Sequence, residues 1–117
     1  MSKILVVEDE ENIRLLYKEE LQDLGYDVFQ ASNGREAIKE FDLHRPDLII
    51  LDIQLPDIDG IETMNIIRKK SRDVPIILFT AYGEYKRDMR TWASDAYIVK
   101  SADVKELLAT VNKILAV

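Results

Sequence analysis

One stretch of the chain, residues 48–60, reads LIILDIQLPDIDG. Its first four residues are bulky and apolar, which is typical of a strand that is covered on both faces. The run stops at the carboxylate of Asp52, and Pro56 and Gly60 then mark a turn. The pattern predicts a buried strand that presents Asp52 at its carboxyl end, followed by a helix that begins near Gly60.

The other two acids of this stretch are predicted to have different, lesser roles. Asp59 stands just before the expected helix, where a short acid can cap the first turn and is favoured by the helix dipole. Asp57 is interpreted as a solvated loop acid. Gly60 is interpreted as the residue that permits a tight start of the helix.

Short apolar runs alternate with helical patterns along the whole chain. Besides the central strand Leu48–Leu51, such runs predict strands over Ile4–Val7, Tyr26–Gln30, Ile76–Phe79 and Tyr97–Val99. Apolar residues at helical spacing predict helices over residues 13–24, 33–41, 61–67, 84–93 and 104–115, with Ser32 or Asn33 as the cap of the second. Because strands that alternate with helices form parallel sheets through right-handed crossovers, we expect an α/β fold. The element count favours a flavodoxin-like, doubly wound, five-stranded parallel sheet with strand order 2-1-3-4-5 and helices on both faces.

Composition limits the classes of function. The chain has 117 residues, 47% of them hydrophobic, and is expected to form a single domain over residues 1–117 without an output domain, as in a stand-alone protein. It has no cysteine, which excludes disulfides and thiol chemistry. A net charge of −6 disfavours direct nucleic acid binding, and no apolar run is long enough for membrane insertion. Since no signal peptide pattern is present, we expect a cytoplasmic location.

Polar side chains stand at the predicted carboxyl ends of four strands. They are Glu8 and Asp9 after the first, Asp52 after the third, Thr80 at the fourth and Lys100 after the fifth. Taken singly, each is also typical of a helix cap, a turn or a solvated surface, but ligands of such sheets bind at this edge. Three carboxylates in one crevice repel each other, and Mg²⁺ is their natural complement. A carboxylate beside such an ion can act as a nucleophile toward phosphorus.

Five segments carry a combination of motifs that is specific, although each alone is weak: ILVVEDEENIR, ASNGREAI, RPDLIILDIQLPDIDGIE, PIILFTAYGE and DAYIVKS. Through them the chain resembles the receiver domain of two-component response regulators over nearly its whole length. The resemblance implies a phosphorylation switch and not a metabolic enzyme. Asp52 would take a phosphoryl group from a sensor histidine kinase or a histidine phosphotransfer protein and signal to a downstream protein target.

The resemblance also implies a metal site. Asp9 would bind Mg²⁺ directly, with Mn²⁺ as an alternative ion. Glu8, where the family more often has aspartate, would act through a bound water. Asp52 and the backbone carbonyl of Gln54 would complete the protein ligands.

Further positions take their roles from the same resemblance. Lys100 and the Thr80 hydroxyl would stabilise charge on the phosphoryl oxygens. Thr80 and Tyr97 would form a switch pair, in which the hydroxyl moves to the phosphoryl group and the ring turns inward. A last set would flank the site and tune the lifetime of the phosphate: Ile53, Gln54 and Tyr82.

The chain departs from the family pattern near the fifth strand. Ser101 follows Lys100, where the family usually has proline, often after a cis bond. Since a cis bond before a non-proline residue costs about 2.5–4 kcal/mol, we expect a trans bond in a loop of altered shape. The segment between the fourth and fifth strands is short, which predicts a shortened or irregular helix with Trp92 packed beneath it.

Other functions fit parts of the pattern. A phosphatase with an aspartyl nucleophile commonly has a second aspartate two residues later, but Gln54 stands there and cannot exchange a proton in that role. A flavin-binding module would need phosphate-binding donors after the first strand, where residues 8–11 are all acidic. A degenerate receiver that binds partners without phosphorylation is the remaining alternative, and the intact acidic pocket argues against it.

Overall fold

A computed structural model describes residues 2–81, 92–100 and 104–116 of the chain. The described residues form five strands: β1 (Lys3–Val7), β2 (Asp27–Ala31), β3 (Leu48–Leu51), β4 (Ile76–Thr80) and β5 (Ala96–Val99). They also form four helices: α1 (Glu11–Asp23), α2 (Gly34–His44), α3 (Gly60–Lys70) and α4 (Lys105–Leu115). The predicted helix over 84–93, the flanking residue Tyr82 and the Lys100–Ser101 bond lie wholly or partly outside the described residues. In the described part of the chain, no helix combines the length and apolar character that crossing a membrane requires.

The strands form one parallel sheet in the order β2-β1-β3-β4-β5, which confirms the predicted topology. The register holds the carboxyl ends of the central strands level, since Val7 pairs with Leu51 and Leu51 pairs with Leu78. Thr80, at the end of β4, pairs with Val99 of β5. The residues that follow β1, β3 and β5 therefore leave the sheet along one edge.

Apolar side chains pack against both faces of the sheet. Phe41 of α2 and Met64 of α3 are buried on one face, whereas Leu21 of α1 and Val111 of α4 are buried on the other. Every residue of β3 and β4 is buried as a result. This two-sided burial explains why these strands are continuous apolar runs and do not alternate with polar residues.

Short polar side chains begin the two helices that flank the β3 strand in sequence. Asn33 caps α2 by accepting a hydrogen bond from the N–H of Glu36, so the structure selects Asn33 over Ser32. Asp59 caps α3 in the same way and accepts from the N–H of Glu62 at 2.8 Å. The prediction for Asp59 is confirmed.

Gly60 closes the base of the loop between β3 and α3. Its N–H donates to the carbonyl of Ile53 at 2.8 Å. A methyl group at this position would lie 2.0 Å from the carbonyl oxygen of Asp52, closer than any real contact. Glycine is therefore required here by the close approach of the helix to the backbone of Asp52.

Asp57 is an exposed loop acid, as the sequence predicts, but it also has a structural role that the sequence does not show. Its side chain is on the surface, but its two carboxylate oxygens accept hydrogen bonds from the backbone N–H groups of Gly34 at 2.8 Å and Arg35 at 2.9 Å. The turn that follows Pro56 carries the loop across the start of α2, which sequence spacing does not reveal. Burial acts to raise the pKa of Asp57, but these N–H donors outweigh it and lower the pKa below its usual value.

Arg68 of α3 holds the segment that leads into β5. Its guanidinium donates to the carbonyl of Ala93 and to the carboxylate of Asp95, each at 2.9 Å. Asp95 also accepts from the N–H of Ile76, which connects this segment to β4. Trp92 is 69% exposed, so the prediction that it packs beneath a helix is wrong, and Arg68 makes the contact to this segment instead.

Candidate functional site

A cleft of about 470 Å³ lies at the carboxyl edge of the sheet. It gathers most of the site residues predicted from the sequence, and its lining includes Glu8, Asp9, Asp52, Gln54 and Lys100. Thr80 and Tyr97 are not among the lining residues. Ala81 also lines the cleft, which is therefore built from the segments that follow β1, β3, β4 and β5.

Three backbone hydrogen bonds continue the sheet ladder just beyond the strands. The N–H of Glu8 donates to the carbonyl of Ala31, and the N–H of Asp52 donates to the carbonyl of Val7, both at 3.1 Å. The N–H of Lys100 donates to the carbonyl of Thr80 at 2.7 Å. Because the backbone of each residue is fixed by the sheet, its side chain is directed from a rigid base.

The three acids form one cluster in the cleft. Glu8, Asp9 and Asp52 each offer a carboxylate oxygen, and these oxygens lie within 4.8 Å of one another. Glu8 and Asp52 are buried, whereas Asp9 is exposed toward solvent. A small hard cation with carboxylate and water ligands matches this donor set, and the exposed acid leaves room for water. These residues are positioned to bind a metal ion.

Lys100 lies between two of these acids. Its Nζ donates to Oδ2 of Asp52 at 2.8 Å and also forms a hydrogen bond and ion pair with Oε2 of Glu8. Burial acts to lower the pKa of Lys100, but the hydrogen bonds and charges of Asp52 and Glu8 outweigh it and raise the pKa above its usual value. The amine therefore stays a cation and offsets part of the repulsion among the carboxylates.

Glu8 is the acid most strongly affected by its surroundings. Burial raises its pKa from 4.5 to about 7, and the nearby charge of Asp52 adds to this effect. Lys100 opposes the rise but does not cancel it. A cation bound to the cluster would stabilise the charged form of this carboxylate.

Both oxygens of the Asp52 carboxylate have a donor. Oδ1 accepts from the backbone N–H of Gln54 at 3.2 Å, while Oδ2 accepts from Lys100. The two donors fix the orientation of the carboxylate at the floor of the cleft. The side chain of Gln54 is exposed at the rim of the cleft, while its backbone N–H is held at the acid cluster by the hydrogen bond to Asp52.

Thr80 and Tyr97 lie on neighbouring strands below the cleft. Thr80 is fully buried at the end of β4, and Tyr97 is half-buried against the core between the sheet and α2 and α3. Leu78 packs in that same core, and since strand side chains alternate in direction, Thr80 faces the same side as Leu78. The predicted switch residues therefore share one face of the sheet, as a coupled motion requires.

Arg14 is a contributor to the site that the sequence did not single out. Its guanidinium donates from Nη1 to the backbone carbonyl of Glu8 at 2.8 Å. Arg14 lies inside the motif segment ILVVEDEENIR, one turn into α1, but only the structure shows that it reaches back to the loop after β1. It fixes the backbone that carries Glu8 and Asp9.

The fold and the acid cluster agree with a comparison against protein families. The family model for the response regulator receiver domain matches residues 4–112. The chain belongs to this family: it is a receiver domain of the two-component response regulators, a signalling domain.

Similar proteins of known structure lie within the same family. Response regulator TrrA from Thermotoga maritima, solved in complex with Mg²⁺-BeF, is 52% identical with a TM-score of 0.95, and the match covers 98% of this chain and 100% of that one. A complex of the histidine kinase ThkA with TrrA also matches, at 52% identity and a TM-score of 0.92, over 99% of this chain and 100% of that one.

Curated relatives differ in length from this chain. The alkaline phosphatase synthesis transcriptional regulatory protein PhoP of Bacillus subtilis is 41% identical over 97% of this chain, which spans 48% of that protein. Sporulation initiation phosphotransferase F of Bacillus subtilis is 35% identical over 97% of this chain and 93% of its own length. The chain thus spans about half the length of PhoP and similar regulators and nearly all of the shorter relative.

Proposed function

We propose that this domain accepts a phosphoryl group on Asp52 from a histidine kinase or a histidine phosphotransfer protein, in a reaction that requires Mg²⁺. One observation carries the proposal. The Asp52 carboxylate lies between a lysine cation at 2.8 Å and two further acids whose oxygens are within 4.8 Å. A carboxylate set between a fixed cation and a metal-binding cluster is suited to attack phosphorus.

The metal would be held by Glu8, Asp9 and Asp52 together with the backbone carbonyl of Gln54. Mg²⁺ fits three clustered carboxylate oxygens at a partly open site, and Mn²⁺ is an alternative with similar oxygen ligands. When bound, such an ion neutralises charge on the phosphoryl oxygens. The complex of the similar regulator TrrA with Mg²⁺-BeF supports this assignment.

The chemical step joins an oxygen of Asp52 to phosphorus. A P–O bond forms as the P–N bond of the donor phosphohistidine breaks, and the electron pair of that bond returns to the imidazole, whose other nitrogen carries the proton. Hydrolysis of the aspartyl phosphate by water later releases inorganic phosphate and restores the carboxylate. The domain assists both steps on itself and is not a dedicated metabolic enzyme.

Lys100 and Thr80 act on the phosphoryl oxygens. Lys100 already donates to Asp52 and would transfer its hydrogen bond to a phosphoryl oxygen once the phosphate is attached. The hydroxyl of Thr80 would move toward the same group, and Tyr97 would turn into the space that the threonine leaves. Phosphorylation would thereby shift a two-state equilibrium, for which couplings of about 1–3 kcal/mol are typical.

The partners follow from the same chemistry. A phosphohistidine donor is required, and the complex of ThkA with TrrA shows a histidine kinase bound to a similar receiver. The signal would pass to a downstream protein, since a net charge of −6 disfavours direct binding of nucleic acid by this domain.

Residues 1–117 would act as a single domain in the cytoplasm. The comparisons give no support to a receiver that works without phosphorylation.

Phosphotransfer profiling tests the proposal. Purified histidine kinases from the same organism are first labelled with radioactive phosphate and then mixed with the domain and Mg²⁺. We expect rapid transfer from one or a few kinases to the wild type and none to Asp52→Asn. If no kinase transfers its label, or if Asp52→Asn accepts label as fast as the wild type, the proposal is wrong.

A further inference from the structure

Asp57 makes a connection that the proposed function does not use. Both of its carboxylate oxygens accept backbone N–H groups from the first turn of α2, which begins more than twenty residues earlier in the chain. Together with the Asn33 cap, it provides acceptors for the N–H groups of Gly34, Arg35 and Glu36. These donors have no partner within the helix. A loop acid therefore completes the N-terminus of a different helix.

The packing around Gly34 shows that the two segments approach each other closely. A methyl group at Gly34 would lie 2.4 Å from Cγ1 of Ile58 and 2.5 Å from Oγ1 of Thr63. The start of α2 thus rests directly on the loop after β3 and on the first turn of α3. This contact is independent of the hydrogen bonds of Asp57, and it joins the same two segments.

The loop over residues 53–60 is fixed at two points. Its base is closed by the hydrogen bond from Gly60 to Ile53, and its far side is tied to α2 by Asp57. Gln54, Leu55 and Pro56 lie between these points and line the cleft. The position of the Gln54 backbone therefore depends on both attachments.

We infer that Asp57 is a positioning residue for the metal and phosphoacceptor site, acting through the backbone of Gln54. The inference rests on the proposed function, in which the carbonyl of Gln54 is a metal ligand. Asp57 touches neither the metal nor the phosphoryl group. It holds the loop against α2 so that the carbonyl keeps its place beside Asp52. A carboxylate suits this task because it offers an acceptor to each of two adjacent N–H groups at the positive end of the helix.

Three variants separate the positioning of the loop from the loss of a charge and from the loss of a helix cap. Asp57→Ala removes both acceptors, whereas Asp57→Asn removes the charge but keeps one acceptor oxygen. Asn33→Ala removes a different cap from the same helix and leaves the loop after β3 attached. Binding of Mg²⁺ alone is measured by calorimetry, and amide hydrogen exchange is followed over residues 53–60.

Asp57→Ala should weaken Mg²⁺ binding about tenfold, the lower part of the range for residues that support metal ligands. Exchange over residues 53–60 should become faster in the same variant. Asp57→Asn should recover only part of the affinity, because its amide nitrogen cannot accept from the second N–H group. Asn33→Ala should bind Mg²⁺ like the wild type. The inference is overturned if Asp57→Ala binds like the wild type or if Asn33→Ala loses as much affinity as Asp57→Ala.

The wild type distinguishes failure of this inference from failure of the proposed function. If the wild type binds no Mg²⁺, the proposed metal site is wrong and the inference falls with it. If the wild type binds Mg²⁺ but the loop exchanges at the same rate with and without Asp57, only the positioning role is wrong.

Discussion

The Nζ atom of Lys100 lies 2.8 Å from Oδ2 of Asp52 and also forms an ion pair with Glu8. One lysine thus offsets the charge of Asp52, and that of Glu8 once Glu8 is ionised, in the absence of a metal ion. In the proposed phosphoryl transfer, Lys100 would give up its hydrogen bond to Glu8 or divide its donors between Glu8 and the phosphoryl oxygens. This relationship makes opposite predictions for metal binding and for phosphoryl transfer.

Replacing Lys100 with methionine should strengthen Mg²⁺ binding about tenfold, because a positive charge close to the cation is removed. The same variant should be phosphorylated more slowly, since the donor to the phosphoryl oxygens is lost. Calorimetry with Mg²⁺ and the rate of labelling by a small phosphodonor measure the two effects. Lys69→Met, at an exposed lysine of α3, serves as the control and should change neither. Weaker Mg²⁺ binding in Lys100→Met would contradict the charge balance described above.

The raised pKa of Glu8 predicts how stability depends on pH in the absence of metal. The folded state holds a proton on Glu8 up to about pH 7, whereas the unfolded state loses it near 4.5. The folded state therefore binds more protons between these values, and the contribution of Glu8 to stability falls as the pH rises from about 4.5 to 7. Glu8→Gln removes this decrease in stability, because glutamine does not titrate.

Urea unfolding with a chelator present checks the prediction at pH 5 and pH 8. Relative to the wild type, Glu8→Gln should gain stability between the two pH values, by on the order of 3 kcal/mol at most. Glu19→Gln, at an exposed position of α1, should show little change. A Glu8→Gln difference that is the same at both pH values would count against a buried, protonated Glu8.

Gly60→Ala should destabilise the domain and damage the site at once. The added methyl group would meet the backbone carbonyl of Asp52 at 2.0 Å, and a backbone atom cannot move aside as a flexible side chain can. We expect a loss of about 3 kcal/mol or more in the free energy of unfolding. Gly25→Ala is a matched control, because its φ of 93° imposes strain of about 1–2 kcal/mol while the space around it is open. Equal losses in the two variants would show that the contact with Asp52 is relaxed.

The shared sheet face of Thr80 and Tyr97 predicts a coupled response to phosphorylation. In a domain labelled with fluorotyrosine, the signal of Tyr97 should shift when Asp52 is phosphorylated. The Thr80→Val variant should still be phosphorylated on Asp52. It should lose the Tyr97 shift, because it lacks the hydroxyl that is proposed to move toward the phosphoryl group. Thr63→Val, at another buried threonine, should keep it. A full Tyr97 shift in Thr80→Val would show that the response of Tyr97 does not depend on Thr80.

The strand order was favoured by the element count and not by local pattern. Periodicity was enough to predict the buried strands, and strand-end chemistry was enough to predict four residues that line the cleft: Glu8, Asp9, Asp52 and Lys100. Both follow from local patterns: β3 is apolar throughout because helices cover it on both faces, and Asp52 follows it where parallel strands end together. Family resemblance supplied the roles of Asp52, Lys100, Thr80 and Tyr97. These roles stay predictions, although the structure brings Asp52 and Lys100 into contact.

The interactions that the sequence missed connect segments whose relative placement only the fold determines. Asp57 was interpreted only as a solvated loop acid, since its partners become adjacent only once the loop crosses the start of α2. Arg14 reaches backward to the carbonyl of Glu8, and Arg68 binds the carbonyl of Ala93 in the segment that leads into β5. A backbone carbonyl has no sequence signature, so an arginine that binds one cannot be recognised from residue types.

Mass spectrometry of the phosphorylated domain tests the central claim most directly. The protein is incubated with a small phosphodonor, with and without Mg²⁺, and the modified residue is mapped by fragmentation after borohydride reduction, which converts an aspartyl phosphate to homoserine. We predict one phosphoryl group, on Asp52, that forms only with Mg²⁺ and is absent from Asp52→Asn. Undiminished labelling in Asp52→Asn, or labelling of the wild type that does not depend on Mg²⁺, would contradict the account.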